Sequence, residues 1–102
     1  MQNLNSILLE GVVADDAIRY MENPGVAVYF HLRSVRVSKK SATSEVTESL
    51  DILVMAPDAL AELWHNELSP GDGVRVIGQL AQDSQGAIYV HAAHIEKRPT
   101  RH

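Results

Sequence analysis

With 102 residues, 45% of them hydrophobic and 22% charged, the chain suits one domain around one core. It is too short for a doubly wound nucleotide fold or an eight-unit barrel, which needs roughly 250 residues. The absence of cysteine excludes disulfide frameworks, thiolate zinc sites and cysteine catalysis. No apolar run approaches the roughly 18 residues of a membrane span. Met1-Gln2-Asn3 opens no basic-then-apolar leader, so a soluble cytoplasmic protein without a membrane partner is expected. The formal net charge of −4 is unevenly placed, since residues 51–96 hold seven carboxylates against Arg75 alone. Any electropositive surface must therefore be local, drawn from Arg33, Arg36, Lys39 and Lys40 with help from the tail.

Residues 4–14, LNSILLEGVVA, read as a first strand, in which Gly11 marks a bend or a close backbone approach. The next segment, DDAIRYMENPG, has no sustained period and ends in the turn chemistry of Asn23-Pro24-Gly25. The longest strand spans 26–37, with Val26, Val28, Phe30 and Leu32 inward and Ala27, Tyr29, His31 and Arg33 outward. Its alternation slips where Val35 and Val37 fall on the polar face, which predicts a bulge or a coiled strand. Residues 38–49 are polar and short of large side chains, so a mobile loop is expected there. LDILVM at 50–55 is a brief apolar strand.

A helix is predicted over 57–68. Pro57 suits the first helical position and Asp58 the first turn; Leu60, Leu63, Trp64 and Leu68 form a stripe, and Ser69-Pro70-Gly71 stops it. In the strand at 73–80, Val74, Val76 and Leu80 share one face and Arg75, Ile77 and Gln79 the other. A polar turn at 81–86 leads to the final strand, 87–96. Three strands, one helix and two strands predict an all-β fold, a five-stranded OB-type barrel with the helix between strands three and four. The barrel should occupy residues 1–96, with a short basic tail at 97–102 that frays. Phe30, Leu32, Val54, Leu60, Leu63, Val76, Leu80 and Val90 are its expected core. A ferredoxin-like layout would need a second helix.

The chemistry of the chain points to binding rather than catalysis. His91 and His94 are three apart in a strand, which puts them on opposite faces, and no H-x-H pair exists, so no metal site is expected. Asp15-Asp16 lies in a loop without a partnered histidine or serine, no serine sits on a nucleophile elbow, and GDG at 71–73 lacks the length and lysine of a phosphate loop. No catalytic residue, cofactor or small-molecule substrate is therefore expected. Trp64 lies on the apolar helix stripe, where core packing competes with a ligand-stacking role. Tyr29, His31, Arg33 and Arg36, continuing into Lys39 and Lys40, combine aromatic faces for bases with cations for phosphates. Arg75 and Tyr89, also outward, extend the candidate nucleic-acid surface. The same residue types cover subunit interfaces, and both roles remain open here.

Several motifs, in order and spacing, resemble the bacterial single-stranded DNA-binding protein family, including its small relatives, primosomal replication protein N. NSILLEGVVAD at 5–15 is similar to the family's opening strand. RY at 19–20 and PGVAVYF at 24–30 are similar to its second. GDGVRVIGQL at 71–80 resembles its fourth strand, after a helix carrying ALAELW at 59–64. The resemblance covers residues 4 to about 96 and implies an OB fold that binds single-stranded DNA without sequence preference in replication, recombination or repair. It also implies a homo-oligomer, a dimer or tetramer joined through first strands, with replication or repair proteins as partners. Leu4, Leu8 and Val12, with Ile77 or Ile95, are apolar on faces assigned outward and fit such an interface.

The departures are also specific. The third strand has no aromatic, the chain reaches His102 without the family's acidic, phenylalanine-ended tip, and residues 81–86 carry no lysine where the primosomal relatives have a lysine-rich loop. The alternative they support is an OB-fold protein–protein interaction module with weak or no nucleic-acid binding.

Overall fold

The computed structural model describes residues 4–21 and 25–98, with only the backbone path of 18–21 and 40. Its elements are β1 (Ile7–Val13), β2 (Ile18–Met21), β3 (Val26–Ser41), β4 (Ser44–Pro57), α1 (Asp58–Trp64), β5 (Gly73–Gln82) and β6 (Ile88–Lys97). The sheet runs β1-β5-β6-β4-β3-β2, and β1 pairs with β3 as well, so five strands close a barrel and β2 lies outside it along β3. All pairings are antiparallel except β4 with β6. This is the predicted five-stranded barrel, with its one helix between the third and fourth barrel strands. No helix among the described residues is long and apolar enough to cross a membrane.

The barrel closes where β1 meets β3, with Val12 opposite Arg33 and Val13 opposite Leu32. Gly11 makes that seam possible, because a Cβ there would run into the Arg33 carbonyl. Inside lie Val13, Val28, Phe30, Leu32, Val54, Val74, Val76, Val90 and Ile95, all nearly inaccessible. At one end α1 inserts Ala61, with Leu60 and Trp64 partly buried beside it and Leu68 just beyond.

The expectations fail at several definite places. DDAIRYMENPG contains β2, paired with β3 from Ile18↔Tyr29 to Met21↔Val26; Asn23 and Pro24 of the expected turn lie outside the described residues. Ala27 is buried rather than outward: it lies between β2 and β4, its neighbours on either side in the sheet, and its methyl is too short to emerge. The slip at Val35 is no bulge: β3 and β4 stay in register from Ala27↔Pro57 to Lys39↔Glu45, and the irregularity falls at Lys39/Ser41.

The expected loop at 38–49 is the end of a hairpin whose turn is Ala42-Thr43. Beyond Arg33 neither strand has a third neighbour, so the hairpin leaves the barrel as an arm. Eight residues from Ser34 to Ser41 extend it by roughly 25 Å. The arm also explains a radius of gyration of 15.3 Å, against about 13 Å for a compact domain of this length.

The helix is shorter than predicted, starting after an extended Pro57 and ending at Trp64. Small Ala61 lets it sit close on the barrel end, and this turns Leu63 to solvent (63% exposed) rather than into the core. Leu80 is also exposed, because β1 ends opposite Gly78 and beyond it the Asn5 side chain bonds the Leu80 backbone without covering its side chain. On β6 the register steps from Ile77↔His94 to Gly78↔Ala92, leaving Ala93 as an extra residue. The inward face therefore passes from Val90 and Ala92 to Ile95, which is buried and unavailable to an interface. The same step puts His91 and His94 on one outer face, not on opposite faces.

Candidate nucleic-acid interface

Directly opposed residues of an antiparallel pair share a face. One face of the β3–β4 hairpin thus carries Tyr29 with Met55, His31 with Leu53 and Arg33 with Asp51; along the arm it continues as Val35 with Ser49, Val37 with Thr47 and Lys39 with Glu45. In the barrel wall this is the outer face, since the intervening Val28, Phe30 and Leu32 are buried. Tyr89 joins it across β4: Val54 is paired with Val90, which sets Leu53 beside Tyr89. Two strand spacings separate the tyrosine-bearing strands, about 10 Å. Val35 and Val37, more than half exposed, make an aliphatic ridge along the arm.

Two of the expected site residues are placed elsewhere. Arg36 projects from the arm's other face, opposite Glu48 and next to exposed Leu50. Arg75 lies on β5 opposite Glu96, seven residues along β6 from Tyr89 and so roughly 20 Å away. The side chain of Lys40 lies outside the described residues, as do 99–102 of the tail. Lys97 and Arg98 are tied to the barrel: Lys97 Nζ is 3.4 Å from Asp72 and the Arg98 N–H donates to the Gly73 carbonyl at 2.8 Å. Trp64 packs against the core, with its buried Nε1 lacking a hydrogen-bond partner among the described residues.

Electrostatically the described arginines are paired rather than bare. Arg33 donates from Nε and Nη2 to the two carboxylate oxygens of Asp51, at 2.8 and 3.0 Å. Arg36 Nη2 donates to Glu48 Oε2 at 2.7 Å. Arg75 donates to Glu10 at 2.9 Å, and Arg98 reaches the other oxygen of Glu10, also at 2.9 Å. His31 is held by Asp15 in the β1–β2 loop: its backbone N–H donates to Oδ1 at 2.8 Å and its Nδ1 lies 2.6 Å from Oδ2. Partial burial pushes the Asp15 carboxyl up, but the His31 backbone N–H, ring and charge together outweigh it and hold the group below its ordinary value. Hydrogen bonds from Arg33 hold Asp51 below its ordinary value, and Asp51 in turn raises Arg33.

The carboxylates Asp15, Glu48 and Asp51 are site residues that reading the sequence missed. A signal for two of them exists. Arg33, Arg36 and Lys39 mirror Glu45, Glu48 and Asp51 about Ala42, three residues apart on each side.

A closed five-stranded barrel with a helix after its third strand and an open outer face on its second and third defines an OB fold, a class that binds oligonucleotides and oligosaccharides on that face. The chain superposes on the small single-stranded DNA-binding protein of Streptomyces coelicolor with a TM-score of 0.82 at 21% identity, covering 96% of each chain. It superposes on the protein PriB of Ralstonia solanacearum with a TM-score of 0.77 at 15% identity, covering 95% of this chain and all of that one. With the single-stranded DNA binding protein of Thermus aquaticus the TM-score is 0.83 at 19% identity, the match spanning about half of that chain (52%). Identities this low establish a shared fold. No protein-family model matches the sequence, and no curated protein does.

Proposed function

We propose that the chain is a single-stranded DNA-binding protein acting without sequence preference in DNA replication, recombination or repair, as a homo-oligomer in the cytoplasm. The observation that carries this reading is the alignment of Tyr29, His31 and Arg33 on the open outer face of β3, with Tyr89 across β4 and the arm beyond. Tyrosine rings offer sequence-neutral stacking faces, and the arginine and lysines offer phosphate contacts. The fold shared with solved structures described as single-stranded DNA-binding proteins supports the same reading. No step of it calls for a catalytic group or cofactor. Leu4 ahead of β1, with Leu8 and Val12 exposed on it, are the proposed subunit contacts, and a second copy is their proposed cover.

A second reading has its own support. The described arginines of the surface each have a carboxylate partner, which suits a protein–protein interaction module better than a strong nucleic-acid binder. A titration with oligo(dT), oligo(rU) and duplex DNA across salt concentrations, beside a mass measurement in solution, separates the two. Single-strand binding is expected with a log–log salt slope between about −1.4, the share of two lysines alone, and about −3 with both arginines engaged. No preference for oligo(dT) over duplex at low salt gives the case to the interaction module.

A further inference from the structure

The arm keeps its cations on β3 and its carboxylates on β4, matched residue by residue. Arg33 faces Asp51, Arg36 faces Glu48 and Lys39 faces Glu45, in unbroken register. The two arginine pairs are closed, at 2.8 and 2.7 Å, although all four side chains are about half exposed or more. The pairing therefore cancels charge where the cations of β3 gather.

We propose that Asp51 and Glu48 limit the affinity of the hairpin for single strands, so that a phosphate reaches Arg33 on the nucleic-acid face, or Arg36 on the arm's other face, only by exchange for the carboxylate across the hairpin. This rests on the reading that the face binds single strands. Exposed ion pairs are weak and solvent-screened, so the exchange is open to a phosphate. The displaced carboxylate nevertheless stays on the neighbouring strand, about 5 Å away, where it repels the incoming backbone. A cation already neutralised by its own protein also gains less from displacing the counterions condensed on the strand. The acid strand thus sets a ceiling on affinity and flattens its salt dependence.

The test compares the full-length parent, Asp51→Asn/Glu48→Gln and a control, Glu62→Gln/Glu67→Gln, by fluorescence anisotropy of labelled oligo(dT) from 50 to 500 mM salt. The control removes the same charge from α1 and the turn after it. Freeing two arginines should steepen the log–log slope by about 1.4; with curves converging near 1 M, affinity rises about tenfold at 0.2 M and about sixtyfold at 50 mM. Each single substitution should give about half the steepening, and the control should stay within about twofold of the parent. Equal gains in the control and the arm variant would make the effect one of net charge and overturn the proposal. So would an arm variant that keeps the parent's affinity and slope while the parent binds. Failure of both parent and arm variant to bind oligo(dT) refutes the binding reading itself, and this inference with it.

Discussion

Substituting Gly11 by alanine tests how the barrel seam positions the candidate site. A Cβ at Gly11 would overlap the Arg33 carbonyl and press on Ser34 Cα. Both neighbours are backbone, so no flexible side chain can yield. β1 and β3 would have to part where Val12↔Arg33 and Val13↔Leu32 close the barrel and where the Ala14 N–H donates to the His31 carbonyl at 2.8 Å. Forced overpacking of this kind costs about 1–3 kcal/mol. At 4–8 °C per kcal/mol for a domain near this size, that is a fall in Tm of about 5–20 °C. The strain falls on the backbone of His31 and Arg33, so affinity for oligo(dT) should drop alongside stability. Thermal unfolding by circular dichroism, with the titration repeated on the folded variant at low temperature, measures both. A Gly11→Ala protein that melts within about 2 °C of the parent would show that the seam yields without strain, and would refute the reasoning.

Other outcomes follow from the same geometry. Tyr29→Ala should lower oligo(dT) affinity at least fivefold with the salt slope nearly unchanged, since a stacked base is worth roughly 1–3 kcal/mol and carries no counterion term; a changed slope at unchanged affinity would exclude stacking. Replacing Lys39 and Lys40 by alanine should do the converse, flattening the slope by about 1.4 on every sequence tested. Leu8→Glu should weaken subunit association in sedimentation equilibrium by burying an unpaired charge, and an unmodified protein that is already monomeric at micromolar concentration removes the premise. Asp15 and Asp51 titrate below their ordinary values in the folded protein, so each contributes stability above the unfolded carboxylate pKa near 4 that is lost as pH falls through the lower folded value. Asp15→Asn should therefore flatten the acid limb of Tm against pH below about pH 4, and parallel acid limbs would contradict the assignment.

By itself the sequence determined the barrel's strands and the order of its parts. Val28, Phe30, Leu32, Val54, Val74, Val76 and Val90 recur at the period of a half-buried strand, and burial against a common core enforces that period locally. Gly11 was legible as a close approach, because only a residue without Cβ relieves a backbone contact. The outward set Tyr29, His31 and Arg33 followed from the same alternation. What the sequence left undecided is whatever depends on a partner strand. Ala93 reverses the faces of β6 and buries Ile95 because β5 fixes the register on both sides of it. Leu63 and Leu80 are exposed because tertiary packing places the helix on Ala61 and ends β1 at Gly78, facts no local pattern carries. The arm hides best of all. Residues 38–49 have too few large side chains to look like strand, since each needs only its antiparallel neighbour and no core. Only the hairpin register, set by the two-residue turn together with the irregularity at Lys39/Ser41, brings Asp51 and Glu48 against Arg33 and Arg36, and so decides that these two arginines are held in pairs.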